Sequence, residues 1–357
     1  MQYAVGCCRF CHDFTARAFV AGAVGRGRIT MKRMLLGCLL LVAVAWMVGC
    51  QKKDDTYHTG PRDNDPNART DVKLALNWFP EAEHGGFYAA QLNGYFAEEG
   101  LNVEIIPGGP GSPVIQQVAR GSVEFGVATA DQIPLGRAQG ANVTATFAAI
   151  DQSPRCFLVH EESGIESLEQ LKNVTLAMNS GRAFSEYLKK HVPLENVRIV
   201  PYDGSIAAFL RDKNFAQQGY EFSEPFLAKQ EGANVRVLPI RAIGYNPYAS
   251  LLFTSDKLKK DHPELVAKMT RACRKGWQAY LREPLETNEH LQSLNPELTP
   301  GVLEFGVKAI VPLTTVEDGS FGQMQLDRWK TLVEQLVEVG LIEKDAVKPE
   351  DCFFEAS

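Results

Sequence analysis

From Asp71 to about residue 254 the chain alternates short apolar runs of strand length with amphipathic stretches of helical period, and this alternation constrains the fold more than any motif does. Strands are predicted at 72–77, 101–106, 125–128 and 143–150. Between them, helices are predicted at 86–99, with Phe87, Ala90, Leu92, Tyr95 and Phe96 on one face and Gly100 as C-cap, and at 131–139. A third helix starts with Ser112 as N-cap and Pro113 at the first helical position and closes at Gly121. A second set follows Gln152-Ser153-Pro154, with strands at 156–160, 174–178, 197–200 and 235–239 and helices at 168–171, 182–191 and 205–213. Repeated strand–helix units imply a parallel sheet with right-handed crossovers. After a strand at 249–254 the pattern turns helical, at 263–282, 299–309 and 323–339, the last with Met324, Leu326, Trp329, Val333 and Leu336 at helical spacing and Gly340 as its cap. The expected fold class is α/β with two lobes joined by more than one crossing strand: 71–152 with 249–357 as lobe 1, and 153–248 as lobe 2. In open α/β sheets a ligand sits at the carboxyl ends of the strands, here between the lobes.

The N-terminus reads differently. Lys32 and Arg33 precede an almost unbroken apolar run over residues 35–48, and small or apolar residues lead to Cys50, the pattern of a secretory signal. The run is short of the roughly 20 apolar residues a membrane span needs. It resembles a bacterial lipoprotein signal over 31–50, with Cys50 as the acylated first residue of the mature protein, which places the chain on the periplasmic side of a bacterial cell membrane, held by a lipid anchor. Residues 1–30 precede this better start and read as an over-extended N-terminus. Their Cys7, Cys8, Cys11 and His12 match zinc-site spacing poorly, since such sites use two ligand pairs separated by a core, so no metal is expected. Residues 51–70, rich in Asp, Asn, Lys, Pro and Gly without apolar periodicity, read as a disordered tether. Of eight cysteines, only Cys156, Cys273 and Cys352 follow Cys50, so no disulfide framework is indicated.

With 45% hydrophobic and 22% charged residues the chain can build a large core. A net charge of -6, with no basic block after the signal, excludes nucleic acid and anionic membrane surfaces as partners of the folded part. No nucleophile stands at recognisable spacing from a base, and G-x-S-x-G, H-E-x-x-H and the P-loop pattern are absent. Gly108-Gly109-Pro110-Gly111-Ser112 lacks the P-loop lysine and reads as a turn before a helix. The expectation is a protein without catalytic activity or cofactor.

A family resemblance is carried by Leu76-Asn77-Trp78-Phe79-Pro80, His84, Gly86-Phe87-Tyr88-Ala89-Ala90 and the run Gly94-Tyr95-Phe96-Ala97-Glu98-Glu99-Gly100-Leu101. Gly121-Ser122-Val123-Glu124-Phe125-Gly126, Ser223-Glu224-Pro225, Trp329 and Gly340-Leu341-Ile342 extend it. Together they resemble the SsuA/THI5-like periplasmic substrate-binding proteins, in the group that takes thiamine precursors, riboflavin, taurine or nitrate. The resemblance spans everything after Asp71. It implies the type II periplasmic-binding-protein fold and delivery of a small molecule to the permease and ATPase of an ABC importer. The fungal thiamine-pyrimidine synthase shares this fold. Where that enzyme has a lysine and a histidine, this chain aligns Ala128 and Gln132, and Gly244-Tyr245-Asn246-Pro247-Tyr248 replaces its cysteine-rich motif, so synthase chemistry is not expected.

The expected ligand is an aromatic nitrogen heterocycle, a thiamine-precursor pyrimidine first and riboflavin second, with a sulfonate, taurine or nitrate as the alternative. Trp78 either stacks on such a ring or covers the sheet end. His84 either donates to a ligand carbonyl or caps its helix. Tyr245 and Tyr248 flank Pro247, where their rings either close over a ligand or pack the hinge. Asn179, Ser180 and Gly181, ahead of Arg182, offer amides and a hydroxyl at a helix start, for an anionic or carbonyl group or for ordinary capping. Glu224 lies where related binding proteins turn a residue into the cleft; its carboxylate suits an aminopyrimidine edge and repels a sulfonate or nitrate. Thr129, Asp131 and Gln132 complete the polar rim of lobe 1, unless Asp131 caps its own helix.

Overall fold

The computed structural model describes residues 69–315 and 320–354. The signal segment, Cys50, the N-terminal cysteines and nearly all of the tether lie outside these residues. Two five-stranded sheets form the framework. The first contains β1 (Thr70–Ala75), β2 (Leu101–Ile106), β3 (Phe125–Ala128), β4 (Val143–Ile150) and, much later in the chain, β10 (Ala249–Ser255), in the order β2-β1-β3-β10-β4. The second holds β5 (Arg155–His160), β6 (Thr175–Ala177), β7 (Arg198–Val200), β8 (Phe215–Tyr220) and β9 (Val235–Pro239), in the order β7-β6-β8-β5-β9. The chain passes between the sheets twice, after β4 and before β10.

Neither sheet is all-parallel. β1 runs parallel to β2 and β3, whereas β10 is antiparallel to both β3 and β4, and β5 is antiparallel to β8 and β9. β4 leads straight into β5 of the other sheet through residues 151–154, with no helix between them. All eight residues of β4 are buried, because β10 covers one edge and the chain end adds to the other, where the Ala145 amide donates to the Cys352 carbonyl at 2.9 Å and that of Phe354 to Ala145 at 2.8 Å.

The helix expected over 86–99 is two, Gly85–Leu92 and Tyr95–Glu98, broken at Gly94, whose φ of 74° is left-handed. The helix expected from Ser112 begins at Val114, with Pro113 rather than Ser112 at the N-cap position, because the Ser112 amide is still tied into a turn on the Gly109 carbonyl. Sequence patterning missed β8 and the helices Glu224–Gln230 and Leu285–Leu294. β8 carries Gln217 and Gln218 at its centre, both buried, so its apolar signal is interrupted.

The 20-residue helix Pro263–Arg282 crosses Gly85–Leu92 at contact distance: a Cβ on Gly276 would stand 2.3 Å from the Gly86 carbonyl oxygen. Trp277 then packs edge-on to Phe87 at 5.7 Å. The helix Leu326–Glu338 braces both crossings, with Arg328 donating to the Asp151 carboxylate at 2.7 Å and to the Asn246 carbonyl at 2.9 Å. Cys156, Cys273 and Cys352 are free thiols, all buried. Among the described residues no helix is long and apolar enough to cross a membrane, and no group of three or more His, Cys, Asp or Glu could hold a metal ion.

Candidate functional site

β1, β3, β6 and β8 end their runs where the two lobes meet, and there a charged cluster assembles from both. On the lobe 1 side the chain leaves β1 through Asn77 and Trp78 and turns at Ala82–His84. Asn77 organises this turn: its amide nitrogen reaches the Glu83 carboxylate at 3.4 Å, and its amide oxygen pairs with His84 Nε2 at 3.0 Å. Ser250, at the start of the returning strand and held in the left-handed region with φ of 44°, donates its hydroxyl to the Glu83 carbonyl. The turn is thereby pinned to the crossing strand.

His84 has no solvent exposure, and among the described residues its Nδ1 has no partner. Burial pushes its pKa down to about 3, so the ring is neutral at physiological pH. It supports Asn77 and Glu83 and presents no donor at the cleft rim. Trp78 is partly buried, edge-on to the half-exposed Phe79 with centroids 5.5 Å apart, and its carbonyl is held by the Gly108 amide at 3.0 Å. The pair stands beside the loop over 107–111, where a Cβ on Gly109 would meet the Phe79 ring at 3.3 Å.

Burial raises the Glu83 carboxyl to about 7, with Arg155 pulling it back down and Glu224 adding to the rise. Glu81 is pushed well above the carboxylate range, first by burial and then by the charges of Glu83 and Glu224. Two acids of lobe 1 thus sense a third acid and an arginine of lobe 2.

On the lobe 2 side, Arg155 opens β5 in register with Tyr220 at the end of β8. Its guanidinium lies 3.8 Å from the centre of the Tyr220 ring and 4.6 Å from that of Phe184, and Tyr220 stacks on Phe222 at 5.0 Å. Glu224, the first residue of its helix, folds its carboxylate back over Gly219, where a Cβ would meet it at 3.1 Å. One of its oxygens accepts from the Tyr220 amide and the other from the Tyr202 hydroxyl, both at 2.8 Å. Glu224 therefore stands in the cluster with both oxygens already engaged. Each oxygen keeps a second lone pair for another donor.

The remaining expected residues divide. Asp131 accepts from Thr129 at 2.6 Å and from the buried Tyr245 hydroxyl at 3.0 Å, which ties the lobe 1 rim to the hinge and leaves its helix start without a side-chain cap. Gln132 opens that helix, partly buried. Tyr248 packs the hinge: its hydroxyl accepts from the Gln325 amide at 2.9 Å, and the Arg328 guanidinium covers its ring at 3.7 Å. Asn179, Ser180 and Gly181 are exposed. The Asn179 amide donates to Gln218 and the Gly181 amide to Glu186, at 2.7 and 2.8 Å, so these donors are consumed within lobe 2. Sequence reasoning missed Glu81, Glu83, Arg155, Tyr202 and Tyr220. The available signal was positional: Glu81 and Glu83 directly follow the aromatic exit of β1, and Arg155 directly follows Ser153-Pro154 at the first crossing.

The chain has relatives among known proteins. The chain is 24% identical over 327 residues to a formylaminopyrimidine-binding protein of Halalkalibacterium halodurans, covering 88% of this chain and 96% of that one. It is also 26% identical over 244 residues to the 4-amino-5-hydroxymethyl-2-methylpyrimidine phosphate synthase THI11 of Saccharomyces cerevisiae, covering 64% of this chain and 72% of the other. Among solved structures, the periplasmic aliphatic sulphonate binding protein SsuA of Escherichia coli superposes with a TM-score of 0.64 at 13% identity, covering 80% of this chain and 92% of that one. That likeness shows the fold, the two-lobed periplasmic-binding-protein architecture. The NMT1/THI5 like family model matches residues 81–287, more than half of the chain, which starts at Glu81 and takes in Arg155 and Glu224. The chain belongs to the NMT1/THI5-like family.

Proposed function

We propose that this chain is the substrate-binding protein of an ABC importer, tethered through Cys50 to the outer face of a bacterial cell membrane, and that its lobes close on an aminopyrimidine. The observation that carries the reading is that Glu81 and Glu83 of lobe 1 lie within electrostatic reach of Glu224 and Arg155 of lobe 2, with the Arg155 guanidinium 3.8 Å from the centre of the Tyr220 ring. The Glu224 carboxylate, with a second lone pair on each oxygen, accepts the N–H donors of an aminopyrimidine edge, and aromatic faces stack on its ring. That carboxylate repels a sulfonate or nitrate, so the solved sulphonate binder is a guide to fold and a poor guide to ligand. Binding without turnover is favoured over synthase chemistry because Ala128 is fully buried and apolar at the end of β3, and Gln132 cannot serve as the base a histidine would be.

The test is calorimetric titration of the purified protein with 4-amino-5-hydroxymethyl-2-methylpyrimidine, riboflavin and taurine, for the wild type and Glu224→Gln. The pyrimidine is expected to bind tightest and to lose about 1.5–3 kcal/mol in the variant, where an amide replaces one charged acceptor. Taurine binding tighter than the pyrimidine overturns the ligand reading. Incubation with pyridoxal phosphate, iron and oxygen is expected to yield no pyrimidine product, and detectable product overturns the transport reading.

A further inference from the structure

The helix Glu224–Gln230 belongs to lobe 2, yet its side chains divide between two cores. Ala228, fully buried, joins Cys156, Leu158, Phe209 and Val235 against the sheet of its own lobe. Phe222, just before the helix, is instead part of the lobe 1 core, and Phe226 and Leu227 pack against that core. The element that receives them is the helix Pro300–Ile310, which starts at Thr299, whose hydroxyl accepts from the Val302 amide at 3.3 Å. Its buried side chains Val302, Leu303, Val307 and Ile310 join the lobe 1 core, while Gly301 and Phe305, one turn apart, meet lobe 2. A Cβ on Gly301 would stand 2.8 Å from the Phe226 ring. One on Gly306 would stand 2.8 Å from the Ala82 Cβ of lobe 1 and 3.2 Å from the Phe222 carbonyl oxygen of lobe 2. The rings of Phe226 and Phe305 lie 5.3 Å apart. Just past the far end of this helix, the Leu313 carbonyl accepts from the amide of Gln152 in the first crossing at 3.0 Å. The helix therefore runs outward from the hinge along the seam and touches both lobes on the way.

We propose that the helix Pro300–Ile310 is an inter-lobe clasp, in which Phe226, seated on Gly301 and against Phe305, sets how readily the cleft opens. The two crossings join the lobes covalently, whereas the clasp must part for them to separate. Parting it exposes Phe222, Phe226 and Phe305 to water, so the contact favours the closed arrangement whatever the cleft holds. Gly301 and Gly306 permit the approach, since a side chain at either position would enter the space of the opposing residue. Glu224 is the first residue of the clasped helix, so the clasp also fixes where its carboxylate stands relative to lobe 1.

The experiment measures the separation of the lobes with no compound added, after exhaustive dialysis, so its outcome does not depend on the ligand reading above. Spin labels are attached through azide-bearing residues placed at the exposed positions Glu104 and Glu195, a chemistry that leaves the thiols untouched. These positions lie on and beside β2 and β7, the edge strands farthest in sheet order from the crossings, where a swing of the lobes is largest. Pulsed electron resonance is expected to show one dominant short separation in the wild type. In Phe226→Ala a longer separation should appear, with the closed-to-open ratio reduced about tenfold or more, the loss expected for an aromatic ring withdrawn from an apolar contact. Gly301→Leu keeps Phe226 and improves the helix, so a similar shift there comes from the seam and not from a weakened helix; it is also the readout should Phe226→Ala fail to fold. Leu285→Ala, at a side chain 71% exposed, should leave the ratio unchanged. A dominant long separation in the wild type, or the wild-type distribution retained in both seam variants, overturns the proposal. An equal shift in Leu285→Ala overturns it as well, since the effect would then not belong to the seam.

Discussion

Replacing Glu83 with Gln should change the pH dependence of stability more than stability itself. Glu83 is 2% exposed, and its carboxyl is raised from 4.5 to about 7, chiefly by burial. The folded state therefore holds a proton between those limits that the unfolded chain has released. Glu83 contributes its stability in full below the unfolded value, and that contribution is lost as pH rises through 7. The interval between the two values corresponds to about 3 kcal/mol across the whole window. Of this, about 2 kcal/mol falls between about pH 5.5 and about pH 8.5. Glutamine keeps the shape and the oxygen that accepts from Asn77, and it removes the titration. His84 works in the opposite direction. With its pKa lowered to about 3, it costs stability as pH falls from the usual histidine range toward 3, but it is present in both proteins and cancels from their difference. Urea unfolding of wild type and Glu83→Gln at the two pH values isolates the effect. The variant should gain about 2 kcal/mol on the wild type in going from the lower to the higher pH. A difference between the proteins that does not change with pH would refute the buried, proton-holding state of Glu83.

Four further outcomes are expected. Trp78→Ala should weaken every planar ligand by about 1–3 kcal/mol, the stacking plus the lost apolar contact, measured by calorimetry with the fold checked by circular dichroism. Gly276→Ala should destabilise by about 2 kcal/mol or more in chemical denaturation, because its Cβ would sit 2.3 Å from the Gly86 carbonyl oxygen and 2.6 Å from the Ala90 amide nitrogen and would push two packed helices apart. Cys50→Ala should move the protein from the membrane fraction to the soluble one with an unchanged melting temperature, and deleting residues 1–30 should leave processing as it was; fractionation with N-terminal mass analysis reads both.

The folded part was legible in the sequence wherever the signal was local. β1 to β4, β6, β9 and β10 lie within a residue or two of their expected positions because each is an apolar run bounded by turn residues. The helix Pro263–Arg282 was legible through its period. β8 was not, since its buried glutamines are tolerated for reasons of neighbourhood: Gln218 accepts the Asn179 amide at 2.7 Å, a contact between segments 39 residues apart. Strand direction was misread because alternation of elements suggests parallel pairing, while β10 returns antiparallel to β3 and β4, and β5 runs antiparallel to β8 and β9.

For the site, sequence alone determined that a cleft of an α/β fold would have aromatic and acidic residues near strand ends, since Trp78 follows an apolar run and Glu224 precedes Pro225. Tertiary structure decided which of them meet. His84, Tyr248 and the amide of Gly181 are engaged by Asn77, Gln325 and Glu186 respectively, and of these only Gln325 lies far along the chain. Glu81, Glu83, Arg155 and Glu224 are brought together from three separate stretches of chain, and only there do their charges act on one another. Periodicity reports which face of an element is apolar. The proton held by Glu83 and the ring contacts of Arg155 depend on burial and distance, and those arise only when the chain has passed from one sheet to the other and back.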